Sequence, residues 1–267
     1  MPLLGRPTFS MYYEDTGPRE APTVVLMHSF LCDTTMWGPI PEALAERYRV
    51  LNVDLRGHGR STAPSADYAL EDQADDVLAL LDRLAIDRAA LVGLSQGGMT
   101  ALRLALARPE RVRALVLLDT SADPETPLNR AKYLAMAASV LVVGLTDVVA
   151  RQVEPLMFSD NFLEHHRDAV EREVARWRAM DRRGVWRATR AVALRTDISA
   201  RLREIAAPTL VAVGEHDRAL PVPRSRRLAE GIYGAMLATI PRAGHLSVVE
   251  QPEDGTRLVR GFLTQHM

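Results

Sequence analysis

Six apolar, β-branched runs of strand length recur along this chain with helix-like segments between them: Thr23 to Met27, Val50 to Val53, Ala90 to Leu94, Val112 to Leu118, Thr209 to Val213 and Met236 to Ile240. Strands that are apolar at nearly every position must be covered on both faces, and helices between them supply the cover. The alternation therefore predicts an α/β fold, a mostly parallel sheet flanked by helices. Phe9 to Glu14 reads as an earlier, antiparallel edge strand closed by the turn residues Asp15, Thr16, Gly17 and Pro18. Leu70 to Leu84 carries apolar residues at Leu70, Ala74, Val77, Leu78, Leu81 and Leu84, the spacing of an amphipathic crossover helix.

One segment breaks the alternation. After Leu118 come about eighty residues of helical character, from about Asp123 to Leu202, before the next strand. An insertion of this kind on an α/β frame is expected to form a lid or small cap over the site, dividing the chain into a core of residues 1–122 and 203–267 and a lid of residues 123–202.

Composition narrows the partners. Lys plus Arg number 33 against 34 for Asp plus Glu, so no net field favours nucleic acid or an anionic membrane, and a small-molecule substrate is expected. Cys32 is the only cysteine, which precludes an internal disulfide and a cysteine-rich metal cluster and fits a reducing cytoplasm. The start, Met1 to Pro7, lacks the pattern of a secretory signal. The longest apolar stretch, Leu134 to Val149, is interrupted by Ser139, Gly144, Thr146 and Asp147, so no membrane span is expected.

The sharpest chemical signal is Gly93-Leu94-Ser95-Gln96-Gly97-Gly98, set between an apolar run and the helix-like Met99 to Ala107. Glycines flanking the serine allow a tight strand-to-helix turn that lifts the hydroxyl out of the sheet. The Gln96 amide then lies at a helix N-terminus, where it can stabilise an oxyanion. A serine hydroxyl needs a base, and the base needs a group to orient it. His245 and Asp217 each follow an apolar run, at the sheet edge where α/β proteins gather ligands. In the chain order serine, acid, histidine they fit as base and acid, with Glu215 and Asp119 as the competing acids.

With these motifs the chain resembles the α/β-hydrolase superfamily over nearly its whole length, through Met27-His28-Ser29-Phe30, Asp54 to Ser61, Gly214 to Asp217 and Gly244 to Ser247 as well as the serine turn. The resemblance implies a sheet of the eight-stranded type, with the helical lid inserted after the sixth strand. It also implies a second oxyanion donor at the backbone N–H of Phe30, where Ser29 replaces the commoner glycine. In that family Asp54 to Ser61 is a structural loop in which Arg56 and His58 hydrogen-bond backbone. Nearest in pattern are the 3-oxoadipate enol-lactonases and related carboxylesterases.

The expected reaction is hydrolysis of a carboxylic ester or lactone through an acyl-enzyme, with no metal or organic cofactor. A carbon–carbon bond hydrolase or a cofactor-free haloperoxidase or perhydrolase would use the same triad, and a small-molecule receptor would keep the same shell. Ser29, Trp37, Trp177 and Trp186 are candidates to line the substrate pocket, each tryptophan being equally compatible with the core. Arg176, Arg178, Arg182 and Arg183 read mostly as surface charge, Cys32 as packing, and the assembly as a monomer or homodimer.

Overall fold

A computed structural model describes residues 3–267. All six apolar runs are strands. They belong to a sheet of eight: β1 (Leu3–Gly5), β2 (Ser10–Thr16), β3 (Thr23–Met27), β4 (Arg49–Val53), β5 (Ala89–Leu94), β6 (Val112–Leu118), β7 (Thr209–Gly214) and β8 (Met236–Ile240). The spatial order is β1-β2-β4-β3-β5-β6-β7-β8, parallel from β4 to β8, with β2 antiparallel to both neighbours. The strand expected at the edge is thus second from it, because Leu4 of β1 pairs with Met11 of β2. Three residues are too few to carry a periodic signal, which is why β1 is silent in the sequence.

Although the central strands are apolar at nearly every position, their side chains still alternate between faces with the period of two that a strand imposes. Val24, Leu26, Val116 and Leu118 pack into one hydrophobic cluster with Ile40 and Leu44 of α1 (Ile40–Ala45) and with Val259 and Phe262 near the C-terminus. Val25, Met27, Leu115 and Leu117 pack on the other side against α2 (Leu70–Arg83) and α3 (Gln96–Ala107). Each such side chain contributes roughly 1.5–3 kcal/mol on leaving water, so both faces are anchored.

Between β6 and β7 the chain forms α4 (Pro127–Val143), α5 (Asp147–Met157), α6 (Asp160–His165), α7 (Arg167–Ala179) and α8 (Arg182–Ala193). Their starts are fixed locally. Thr126, Thr146, Ser159 and Asp181 each accept a hydrogen bond from the backbone N–H three residues on, satisfying an otherwise orphaned donor of the first turn. Phe158 stacks on Phe162 at 5.4 Å and on Trp177 at 6.0 Å, joining α5, α6 and α7. The chain closes with α9 (Val222–Gly231), α10 (Ser247–Glu250) and α11 (Pro252–His266).

The insertion seats on the core through a contact between two glycines. A Cβ built on Gly57, which has φ +73°, would lie 2.8 Å from Gly184 Cα at the start of α8. Gly57→Ala combines backbone strain with a clash and is expected to cost on the order of 2 kcal/mol. Thermal unfolding should show the midpoint fall by about 4–8 °C. An unchanged midpoint would mean that the two segments do not approach in this way.

Candidate active site

The serine turn is as tight as its glycines suggest. Ser95 joins β5 to α3 with φ +52° and ψ −110°, a conformation that costs a non-glycine residue on the order of 1–3 kcal/mol unless its surroundings impose it. They do. Its N–H donates to Leu118 O at 2.9 Å, and its carbonyl accepts from Met99 N at 2.9 Å and Thr120 Oγ1 at 2.8 Å. Both backbone groups are therefore spent on holding the turn. A Cβ on Gly97 would lie 2.0 Å from Met27 O, so α3 reaches the end of β3 only because that residue has no side chain.

Asp217 follows β7 in a loop that grips its own carboxylate. Oδ1 accepts from the amides of Ala219 and Leu220, both at 2.9 Å, while Oδ2 lies 2.9 Å from His245 Nδ1. A carboxylate only accepts, so the proton sits on Nδ1 and the lone pair is left on Nε2. Burial works against a charged imidazolium here, yet the Asp217 charge and hydrogen bond, with Asp119 and Glu250 behind them, outweigh it. The His245 pKa is raised above 6.5 as a result.

Of the two competing acids, Glu215 is half exposed and accepts from the Arg242 amide at 3.0 Å, away from the imidazole. Asp119 is fully buried at the end of β6, accepts from Gly214 N at 2.7 Å, and shares a short hydrogen bond with Ser247 Oγ. Burial and then the Asp217 charge push its pKa well up. It braces β6 against β7 and the turn after His245.

Glu250 performs a second bracing function that the sequence pattern alone did not reveal. Its carboxylate accepts from Gly244 N at 3.0 Å, Ser159 N at 3.1 Å and Ser159 Oγ at 2.5 Å. Leu246 N also donates to Met157 O at 2.9 Å. The loop carrying His245 is thereby strapped to the junction of α5 and α6. Nothing short of the tertiary contact could have paired residues so distant in the chain.

The loop after β3 is pinned by His28, whose Nε2 accepts from Leu55 N at 2.8 Å and whose Nδ1 faces Ser29 O at 2.6 Å. Burial lowers the His28 pKa to about 4, so the ring is neutral and donates from Nδ1. Ser29 N donates to Met36 Sδ at 3.2 Å. Neither the Phe30 nor the Gln96 amide has an acceptor among the described residues. Asp54 caps the neighbouring loop by accepting from Thr34 N and Arg60 N, both at 2.7 Å. His58 Nδ1 pairs with Arg56 O at 2.9 Å, and Arg56 donates to the Asp72 carbonyl at 3.3 Å as well as to the Asp76 carboxylate.

Ser29, Phe30, Ser95 and His245 line one cavity of about 120 Å³. Its other walls come from α4, α5 and α8, through residues such as Met136, Val140, Val149, Val153 and Val185. The three tryptophans lie elsewhere. Trp37 and Trp177 are fully buried in the core, and Trp186 lies beneath the Arg190 guanidinium at 5.6 Å. Their bulk made them candidates, but bulk is equally what a core selects. Cys32 is buried packing, with its thiol pKa pushed up by burial.

NMR titration of the imidazole protons tests this electrostatic arrangement. The His245 pKa should lie above 6.5, so the Asp217 pair stabilises the fold fully below that pH and loses its effect as pH rises through the folded value. Asp217→Asn should lower the His245 pKa, while the isosteric Asp119→Asn, at a carboxyl bonded to Gly214 and Ser247 rather than to the ring, should lower it far less. The opposite order would make Asp119 the residue that holds the ring.

The comparisons with known proteins agree with this architecture. Residues 22–252 match the model of the alpha/beta hydrolase fold family. The chain is 32% identical over 247 residues to 3-oxoadipate enol-lactonase 1 of Acinetobacter baylyi, covering 92% of this chain and 90% of that one. Among solved structures it is similar to a thermophilic esterase from Thermogutta terrifontis, with a TM-score of 0.93, 30% identity and full coverage of both chains. It is also similar to the enol-lactonase from Burkholderia xenovorans LB400, with a TM-score of 0.91, 32% identity and coverage of 98% and 100%. Sequence, sheet order and serine turn together place the chain in the α/β-hydrolase fold family.

Proposed function

We propose that the protein is a serine hydrolase that cleaves a carboxylic ester or lactone of a small molecule through an acyl-enzyme intermediate. The observation that carries this reading is that Ser95, held in a strained turn with its backbone fully engaged, lines the same cavity as His245, whose tautomer Asp217 selects. Ester and lactone cleavage are also the reactions named for the esterase and enol-lactonases to which the chain is similar.

In the proposed mechanism Ser95 Oγ attacks the carbonyl carbon as its proton passes to His245 Nε2. Asp217 stabilises the imidazolium that results. The oxyanion of the tetrahedral intermediate accepts from the amides of Phe30 and Gln96, two donors without an acceptor among the described residues. His245 then protonates the departing oxygen, and the C–O bond to the leaving alcohol or enol breaks. Water repeats the sequence with His245 as base, releasing the acid and restoring Ser95. Every step uses the chain's own groups and water. Residues 123–202 act as the lid, with α4, α5 and α8 excluding solvent from the reacting carbonyl.

Hydrolysis of short-chain p-nitrophenyl esters by wild type and Ser95→Ala, together with fluorophosphonate labelling read by mass, tests the reading. Wild type should turn over ester and take one label on Ser95, whereas Ser95→Ala should lose at least about 1,000-fold in kcat and take none. A folded wild type that neither hydrolyses nor labels would refute the acyl-enzyme.

A further inference from the structure

The walls of the cavity speak to the charge of the substrate. Most of its lining is aliphatic side chain from α4, α5 and α8. Among the described residues no Arg or Lys lines it, and apart from His245 the one charged side chain on its wall is Glu125. That carboxylate is not a vacant cation site. Arg195 Nη2 donates to Glu125 Oε1 at 2.8 Å with both side chains almost wholly buried, and Arg224 approaches the same carboxylate at 3.4 Å.

The Arg195 guanidinium is committed on its remaining edges as well. Nε donates to Asp123 O at 2.9 Å and Nη1 to Val192 O at 2.8 Å. Of the insertion's other arginines, Arg176 pairs with Glu173, Arg178 with Asp147 and Arg182 with Val142 O, while Arg130 of α4, half-buried with no acceptor at Nε among the described residues, lies outside the cavity lining. A ligand carboxylate entering this cavity would therefore lose its hydration and meet mostly aliphatic groups, with no guanidinium or ammonium among the lining residues to receive it.

We infer that the cavity selects an electrically neutral substrate with a small apolar acyl group, and turns away lactones and esters that carry a free carboxylate. This rests on the ester or lactone hydrolase reading above. It departs from the substrate class implied by the name 3-oxoadipate enol-lactonase, since closing one carboxyl of a diacid into a lactone leaves the other ionised. The size follows from the volume. An apolar cavity of about 150 Å³ admits benzene, so about 120 Å³ accommodates a single small ring or a chain of roughly four to six carbons.

A matched pair of substrates provides the test: p-nitrophenyl hexanoate and mono-p-nitrophenyl adipate, which share the leaving group and chain length and differ by the terminal carboxylate. The expected result is a kcat/KM for the hexanoate higher by on the order of 100-fold. Equal values, or a preference for the adipate half-ester, would overturn the inference while leaving the hydrolase reading intact. Failure to turn over either ester, with no fluorophosphonate label on Ser95, would instead refute the hydrolase reading.

Discussion

The hydrogen bond from Ser95 N to Leu118 O ties the turn after β5 to the end of β6, and the geometry of the site depends on it. A serine at φ +52° persists only where neighbouring strands over-determine its backbone. β3 contributes by lying so close to α3 that Gly97 has no room for a side chain, β6 contributes Leu118 O, and the loop just after β6 contributes the Thr120 hydroxyl. The parallel sheet is thus the device that holds a strained residue at its C-terminal edge, and the hydrophobic clusters on its two faces supply the stabilisation that offsets the strain.

A second level of organisation surrounds the histidine. Three buried carboxyl groups, Asp119, Asp217 and Glu250, lie close enough for their charges to influence His245, and each has a different set of partners. Asp217 accepts from its own loop and from the ring, Asp119 binds Gly214 and Ser247, and Glu250 binds Gly244 and Ser159. Burial raises the pKa of both Asp119 and Glu250. Because their hydrogen bonds go to backbone amides and serine hydroxyls, these two groups act as braces, leaving Asp217 to orient the imidazole. Because Glu250 also holds Ser159, the helical insertion and the histidine loop form one connected unit.

Much of this was readable in one dimension because the deciding constraints were local. Nearly continuous apolar runs specified a sheet covered on both faces, Gly93 and Gly97 marked the serine turn, and His245 and Asp217 each followed the end of a strand. What escaped the sequence was long-range or ambiguous. β1 exists only because β2 offers it a partner, and Glu250 acquires its role from Ser159, far away in the chain. The tryptophans misled because an aromatic ring suits a core as well as a pocket. The cavity walls come instead from α4, α5 and α8, where α4 is apolar on more than one side and so carries no clear indication of which residues face inward.

The claim at the centre is that Ser95, His245 and the amides of Phe30 and Gln96 act on one carbonyl. The most direct test is a crystal structure of the protein inhibited with a butylphosphonate ester. The account predicts a covalent bond from phosphorus to Ser95 Oγ, a phosphonyl oxygen within about 2.7–3.1 Å of both Phe30 N and Gln96 N, and the butyl chain among Val140, Val149 and Val153. An adduct on another residue, or a phosphonyl oxygen turned away from both amides, would contradict it.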